Sequence, residues 1–292
     1  MSELFLDALI DSFKMLPFLF AAYLLIEWIE TRASSRFEAA LSSGRAGVPT
    51  GALLGLFPQC GFSVAAARLY SSGMITAGTL AAVFLSTSDE AIPVLLANPG
   101  SIGVIVRLIA AKLVIALAAG FLLDAVGGRL FPARTRSAVR RSGNDETHVH
   151  SCGCGCEHAG SAAGIFLTAA RHTLRIFLFL LVLMFLLNAA IAAIGEERLA
   201  AFLMTESIFQ PFLAALFGFI PNCAASVILT QLYLDGALSF GSAVAGLSTG
   251  AGLGLVVLLR EHKDVRSNAR FLLYLYIVSA AAGMLLQVLG VS

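Results

Sequence analysis

The sequence has few charged residues, and this shortage excludes a water-soluble fold. Only 13% of its residues are Asp, Glu, Lys or Arg, compared with roughly 25% in soluble domains. Hydrophobic residues make up 58% of the chain, which leaves too little polar surface to cover a globule of 292 residues. The composition therefore predicts an all-α polytopic membrane protein that is surrounded by a lipid bilayer.

Several signatures of catalysis and nucleotide binding are also absent. The sequence contains no phosphate-binding loop, no dinucleotide fingerprint and no nucleophile elbow. Its net charge of +1 gives no indication of nucleic-acid binding. We therefore expect a protein that is not an enzyme, has no cofactor or nucleic-acid partner, and draws its energy from an ion or solute gradient.

Cysteine is scarce, and its spacing does not suggest a disulfide framework. Of the five cysteines, Cys60 and Cys223 stand alone in apolar segments and the other three lie in a polar loop. The start of the chain also lacks the basic residues of a signal peptide, since acidic residues lie on both sides of the apolar run 12–29. We expect this run to be a retained first helix.

Two stretches of the chain are copies of one another. Residues 55–73 and 218–236 align without a gap over 19 positions, and eight of these are identical, including a Pro, a Cys and the final Gly. The resemblance continues to 85–87 and 247–249 if a one-residue slip is allowed. Each copy places a Pro-Gln-Cys or Pro-Asn-Cys sequence inside an apolar segment, where Pro interrupts a helix. The alternative is a pair of structural kinks that permit close packing.

The surrounding apolar pieces are too short to span a membrane, which predicts broken or re-entrant helices. Full-length spans are predicted at 102–123, 174–194 and 271–289. Three connections between predicted helices are basic, at 30–47, 129–141 and 260–270, and one, at 195–207, is acidic. The acidic connection follows the first span of the second half, whereas the first span of the first half is followed by a basic connection. By the positive-inside rule, the halves are inverted repeats with both termini outside and a cytoplasmic linker. The predicted divisions are a first transmembrane repeat at 1–124, a basic and His/Cys-rich cytoplasmic linker at 125–163, and a second, inverted repeat at 164–292.

Ionisable residues inside apolar segments indicate an ion path. Asp89 and Glu90 are adjacent carboxylates between two apolar pieces, and Lys112 in the next span is a deeper candidate counter-charge than Arg107. The alternative is that the carboxylates cap the short helix that follows them. The candidate ion- or substrate-binding residues are Gln59, Cys60, Ser86, Thr87, Asp89, Glu90, Lys112, Asn222, Cys223, Ser248 and Thr249.

The linker contains a second group of candidate ligands whose spacing does not match a structural zinc motif. It reads either as a low-specificity metal-collecting loop or as a variable linker that happens to be rich in His and Cys. These residues are His148, His150, Cys152, Cys154, Cys156 and His158.

The motifs at residues 55–64 and 78–93 resemble a bacterial and archaeal family of ten-helix heavy-metal exporters, whose members are variously labelled arsenic efflux proteins or manganese transporters. The resemblance covers most of the chain, including the His/Cys-rich loop. It implies about ten transmembrane segments, five in each half, in the cytoplasmic (inner) membrane, and a metal ion as the partner.

The candidate ligands favour a hard divalent cation such as Mn²⁺, because two lone cysteines are too few for a three-thiolate arsenic site. We therefore expect a secondary transporter that exports a heavy or divalent metal ion. The alternatives are an arsenite or organoarsenical efflux permease, a permease for a small anionic or neutral solute bound by Lys112 and Arg107, and a membrane enzyme with Cys60 and Cys223 as a redox pair. The sequence leaves open whether the chain forms a homo-oligomer.

Overall fold

The computed structural model describes residues 44–57, 60–88, 91–98, 102–127, 209–221, 223–262 and 264–290, together with the single helical positions 174, 178, 182 and 186. This part of the chain is helical and contains no strand. The predicted span 12–29 and most of the predicted span 174–194 lie outside it. In chain order, the helices are α1 (Gly44–Gly55), α2 (Cys60–Ser71), α3 (Ala77–Ser86), α4 (Ala91–Leu96), α5 (Ile102–Gly127), α6 (Gln210–Gly218), α7 (Cys223–Leu234), α8 (Phe240–Thr249), α9 (Leu253–Glu261) and α10 (Val265–Val288).

The same helix stop ends α2 and α7. Gly73 and Gly236 both have φ of +76°, a conformation that glycine adopts without strain. The N–H groups of Gly73 and Met74 donate to Tyr70 O and Leu69 O, both at 2.9 Å, in the pattern of a Schellman motif. In the second half, the N–H groups of Gly236 and of the residue after it form the same two hydrogen bonds. The two turns are 163 residues apart, as the sequence repeat predicts.

The next helix in each half begins with a hydroxyl cap at the same spacing. Thr76 Oγ1 accepts a hydrogen bond from Thr79 N, and Ser239 Oγ accepts one from Ser242 N. Such caps satisfy backbone donors that have no partner within the helix. They fix the starts of α3 and α8 at equivalent positions of the two halves.

Glycine residues bring the helices of each half into close contact. A Cβ atom at Gly55 would lie 2.5 Å from Val83 O, and one at Gly218 would lie 2.0 Å from Gly246 O. Both pairs keep the spacing of 163 residues. The one-residue slip expected from the sequence is therefore wrong: Thr249 packs where Ser86 packs in the first half, because the glycine contacts hold both helices in one register.

The two halves also exchange their fourth helices. Residues of α9, including Val257 and Leu258, belong to the core around α1, α3 and α5, whereas Ala91 and Leu95 of α4 belong to the core around α6, α7 and α8. Gly254 lies so close to α2 that a Cβ atom there would be 2.7 Å from Ser63 Cβ. The halves are thus interlocked rather than placed side by side.

Four stretches of the described residues are long and apolar enough to cross a membrane: Ala77–Leu96, Ile102–Val126, Phe240–Glu261 and Val265–Val288. The first and third are each made of two short helices and are 75% and 78% buried, whereas the two continuous helices are 28% buried. Broken backbone at membrane depth must be enclosed by protein. The burial therefore fits broken inner spans that are covered by unbroken outer ones.

The last span begins earlier than the sequence indicated. The expected basic connection over 260–270 is reduced to residues 262–264, because α10 begins at Val265 rather than at residue 271. Asp264 caps this helix by accepting hydrogen bonds from Arg266 N and Ser267 N. A good cap allows the helix to begin in a polar stretch that a hydropathy pattern assigns to a loop.

The last span of the first repeat is also longer than expected, because α5 continues to Gly127, past the expected end at residue 123.

Asp124 supports the start of α3, and replacing it should weaken the fold. Its Oδ2 accepts from Thr76 Oγ1 and its Oδ1 from Gly78 N, both at 2.8 Å. Asp124→Ala should lower the free energy of unfolding by about 2 kcal/mol, because these bonds end on a charged group. Thermal unfolding in detergent measures this change. Gln287→Ala, at the equivalent place in α10, is the matched control, because Gln287 Oε1 is buried and the described part of the chain offers it no hydrogen-bond partner. An equal loss in the two variants would contradict this role of Asp124.

Candidate ion site at the two helix breaks

Each buried span is interrupted near its middle. In the first half, α3 ends at Ser86, Thr87 and Ser88 continue as non-helical backbone, and α4 begins at Ala91. In the second half, the interruption between α8 and α9 contains Gly252, whose φ is +51°. The broken helices predicted from the sequence are therefore present at both places. Each break leaves helix-end carbonyl groups without partners inside their own helix.

Lys112 connects the two breaks. Its side chain is fully buried, and it lies near the middle of the 25-residue span Ile102–Val126. Its Nζ donates hydrogen bonds to Thr87 O and to Leu247 O, the latter at 2.8 Å. These oxygens belong to the C-terminal ends of α3 and α8, where the helix dipole places partial negative charge. A single ammonium group therefore contacts both halves at a position that favours a cation.

The predicted hydroxyl residues surround this junction and are buried. Thr87 Oγ1 donates to Val83 O at 2.7 Å, and Thr249 Oγ1 donates to Ala215 O at 2.7 Å. Ser86 likewise donates to Val83 O. Because each of these hydroxyl hydrogens is donated to a backbone carbonyl group, the hydroxyl oxygens keep their lone pairs available. Ser248 Oγ differs, because it is buried without a hydrogen-bond partner among the described residues. Ser248 follows Leu247, the residue whose carbonyl binds Lys112.

The other predicted site residues are only partly covered by the structure. The backbones of Cys60 and Cys223 form the first residues of α2 and α7. Gln59, Asn222, the two carboxylates and the six linker ligands lie outside the described residues, so their roles remain predictions. The residues of these two groups are Asp89, Glu90, His148, His150, Cys152, Cys154, Cys156 and His158.

Metal-ligand clusters are absent from the part of the chain that the structure describes. No group of three or more His, Cys, Asp or Glu side chains lies together there. The donors that the structure brings to the junction are backbone carbonyl and hydroxyl oxygens. Oxygen donors of this kind suit hard cations such as Mn²⁺, Mg²⁺ or Ca²⁺ better than thiophilic metals.

Two further basic residues lie away from the junction. Arg107 is exposed on α5 and donates to Gly103 O at 3.3 Å, which places it outside the buried site. Arg68, on α2, forms an ion pair with Glu261, at the end of α9, with an N–O distance of 2.9 Å. The sequence did not reveal this pair, because its members are 193 residues apart. The exchange of α9 into the first half brings them together.

Charged groups break the symmetry of the two halves. Residues 163 positions from Arg68 and Glu261 are Gln231 and Asn98. Gln231 donates to Asp235 at 3.2 Å and Asn98 donates to Val94 O at 3.0 Å, so each bonds within its own segment. In the same way, the residue equivalent to Lys112 is the fully buried Leu275. The repeat supplies a symmetric frame, and the first half supplies its buried cation.

An all-helical protein with two broken inner spans that meet at a buried charged group has the architecture of a membrane transporter. A family model described as "Putative, 10TM heavy-metal exporter" matches residues 1–194. The chain belongs to this family, which confirms the resemblance seen in the sequence and the expectation of a multi-pass protein with about ten transmembrane segments. Searches of curated proteins and of solved structures found no match.

Proposed function

We propose that this protein is a secondary transporter that exports a divalent metal ion, with Mn²⁺ as the best candidate, across the cytoplasmic membrane. Family membership supports metal export in general. The observation that supports a hard cation is the Lys112 junction, where the carbonyl ends of two half-helices already hold a buried cationic group. Asp89 and Glu90 follow Thr87 and Ser88 in the chain and would add negative charge at this junction.

The same junction argues against an anionic solute. A binding site for an anion needs positive charge that is available to the ligand, but the Lys112 ammonium already donates to two carbonyl oxygens. The C-terminal ends of α3 and α8 also repel negative charge. Arg107, the other candidate cation for an anion site, is exposed outside the junction. A cation is therefore the better ligand for this arrangement.

We infer that transport proceeds by alternating access between inverted halves. The equal spacing of the caps, turns and glycine contacts supports a structural repeat. The charges of the connections support its inversion, because the basic stretches would lie in the cytoplasm and the acidic one outside. This orientation places both termini outside and the linker 125–163 in the cytoplasm, where its His and Cys residues would collect metal. The stretches concerned are 30–47, 129–141 and 260–270, which are basic, and 195–207, which is acidic.

Flux through the purified protein in liposomes tests this proposal. Separate assays with Mn²⁺, Zn²⁺, Fe²⁺ and arsenite should show movement of Mn²⁺ that is saturable and absent from protein-free liposomes. Movement of arsenite without any divalent ion would instead support the arsenic permease. Transport of none of the three divalent cations would contradict the proposal, whatever the behaviour of the arsenite control.

A further inference from the structure

Helices α2 and α9 form a pair that runs from the helix breaks to one face of the membrane. They pack against each other although they belong to different halves. Near their starts, a Cβ atom at Gly254 would lie 2.7 Å from Ser63 Cβ, and at their ends Arg68 forms an ion pair with Glu261 at 2.9 Å. The two helices are therefore parallel. Gly254 lies just past the middle of the span Phe240–Glu261 and Glu261 is its last residue, so the pair extends from the middle of the membrane to its surface.

The position of Glu261 is explained by its partner. Glu261 is the last residue of α9, and a carboxylate at the C-terminal end of a helix is unfavourable, because the helix dipole places partial negative charge there. Arg68, in the last turn of α2, provides a cation from the other half of the protein that offsets this cost. The charge of Glu261 therefore stabilises the contact between the halves and not α9 itself.

The exposure of this ion pair allows the contact to open. The side chains of Arg68 and Glu261 are 23% and 27% exposed, so water can hydrate both charges when they separate. Breaking a fully buried pair would leave two charges in an apolar interior. A partly exposed pair is weaker, and it changes the ratio of two states by about fivefold or less. A contact of this strength can break and form again in every transport cycle.

The equivalent helices on the other side of the protein have no such pair. By the repeat, α4 and α7 correspond to α9 and α2, and they also pack against each other. Neither helix contains a charged residue, and their contact is formed by apolar side chains. The positions equivalent to Arg68 and Glu261 are Gln231 and Asn98, each of which bonds within its own segment. In the described structure, the ion pair between the halves is therefore present on one side only.

We propose that the Arg68–Glu261 ion pair is the latch of a gate on the cytoplasmic side. Helix α9 ends in the basic stretch 260–270, which the positive-inside rule places in the cytoplasm. With the latch closed, α2 and α9 block the route from the cytoplasm to the junction at Lys112. When the latch breaks, the two helices separate and a metal ion enters. The one-sided latch shifts the metal-free protein towards the state that is closed to the cytoplasm. This inference rests on the proposed function, because it assigns the entry gate of the same transporter.

A cysteine between the two helices reports whether the gate opens. Ser63 is fully buried against Gly254, so the thiol of Ser63→Cys should react slowly with a membrane-impermeant maleimide. In inside-out membrane vesicles that contain the full chain, adding Arg68→Gln should make this reaction about fivefold faster. The rate follows the population of the open state. Mass spectrometry of the peptide that contains residue 63 separates this thiol from the native cysteines.

Two controls and a rescue separate a latch from a general loosening of the fold. Arg266→Gln removes an exposed charge from α10 near the same face and should leave the rate at Ser63→Cys unchanged. Ser226→Cys, at the equivalent place in α7, should not react faster when Arg68 is replaced. The reversed pair, Arg68→Glu with Glu261→Arg, should restore the slow reaction. Equal acceleration at both reporter cysteines, or no restoration by the reversed pair, would overturn the latch.

The native ion pair provides a measurement that needs no change at Arg68 or Glu261. At about 1 M salt the Debye length falls to about 3 Å, which weakens a partly exposed pair. High salt should therefore accelerate the reaction of Ser63→Cys, and this effect should be absent when Arg68→Gln is added. A rate that responds neither to Arg68→Gln nor to salt, with Mn²⁺ flux intact, would overturn the latch and leave the proposed function standing. A gate that opens as expected in a protein that moves no divalent metal ion would overturn the proposed function alone.

Discussion

Replacing Gly218 with alanine should leave little folded protein in the membrane. A Cβ atom at this position would lie 2.0 Å from Gly246 O and 2.3 Å from Thr249 Oγ1. Neither atom can move alone, because the carbonyl belongs to the backbone of α8 and Thr249 donates to Ala215 O. Overpacking of a tight interface costs about 3 kcal/mol in such cases. Since marginal stability is typical of folded proteins, a loss of this size removes much of the folded population.

The effect should reach the site as well as the fold. The same turn of α8 contains Leu247, whose carbonyl oxygen accepts the Lys112 hydrogen bond. A shift of α8 that relieves the new methyl group would therefore move one side of the junction. Molecules of Gly218→Ala that do fold should export metal more slowly than the wild type, which flux per correctly folded protein measures.

A matched glycine on an open surface provides the control. A Cβ atom at Gly103 would meet nothing within 4 Å, and Gly103 lies in the first turn of α5. Gly103→Ala should be neutral or slightly stabilising, because alanine has less backbone freedom to lose than glycine. Yield, monodispersity and thermal unfolding in detergent compare the two variants. If Gly218→Ala folded as well as Gly103→Ala, this result would contradict the close packing of α6 against α8 at Gly218.

The sequence predicted those parts of the architecture that depend on local chemistry. Pro58 and Pro221 predicted interruptions of helices, the short apolar pieces predicted broken spans, and the aligned Gly73 and Gly236 predicted equivalent positions in the two halves. Proline restricts the backbone and glycine permits a positive φ, so the effect of each can be read without knowing its neighbours. The buried position of Lys112 was also predictable, because a lysine in the middle of an apolar span must face the interior of the helix bundle rather than the lipid.

The partners of Lys112 were not predictable in the same way. Thr87 O and Leu247 O are backbone atoms, and any residue type supplies a carbonyl group. Their availability comes from the helix breaks, and their convergence comes from the packing of α5 between two halves. Side-chain patterns therefore indicated the cation but not the carbonyl groups that bind it.

The register of the second half was missed for a related reason. Identities between the halves become few after Gly236, so the letters alone permitted a slip at 247–249. The contacts of Gly55 and Gly218 fix this register, and they depend on which residues face each other.

The side chains that support the helix starts, Asp124 and Gln210, were also not predictable from the repeat. Asp124 supports the start of α3, whereas Gln210 accepts from Ser239 N and Ser242 Oγ at the equivalent start of α8, although the two residues are not equivalent in sequence.

Neutralising Asp89 and Glu90 together should abolish metal export while the protein still folds. These two residues stand in the chain between Ser88 and Ala91, which are 3% and 0% exposed. A carboxylate within a membrane span needs a cation, because an unpaired charge in an apolar interior is very costly. We expect the cargo to supply that cation when the site is loaded.

Asp89→Asn with Glu90→Gln keeps the size of both side chains and removes only their charge. Loss of one charged ligand typically costs about 1.5–3 kcal/mol, so the pair should weaken Mn²⁺ binding by roughly a hundredfold or more. We expect cells that depend on this protein to lose Mn²⁺ tolerance, and the purified variant to lose Mn²⁺ flux in liposomes. Asp235→Asn, an exposed carboxylate beside the stop of α7, should retain both.

The outcome also separates the two classes of cargo. If the double variant kept the tolerance and flux of Asp235→Asn, the carboxylates would not bind the cargo, and a cation would no longer be the best ligand for the junction. Lys112→Met should then cause the greater loss, because Lys112 would be the group that binds an anionic or neutral solute. If the double variant loses Mn²⁺ flux while Asp235→Asn retains it, the negative charge of Asp89 and Glu90 is needed for the movement of the metal ion, as a cation cargo requires.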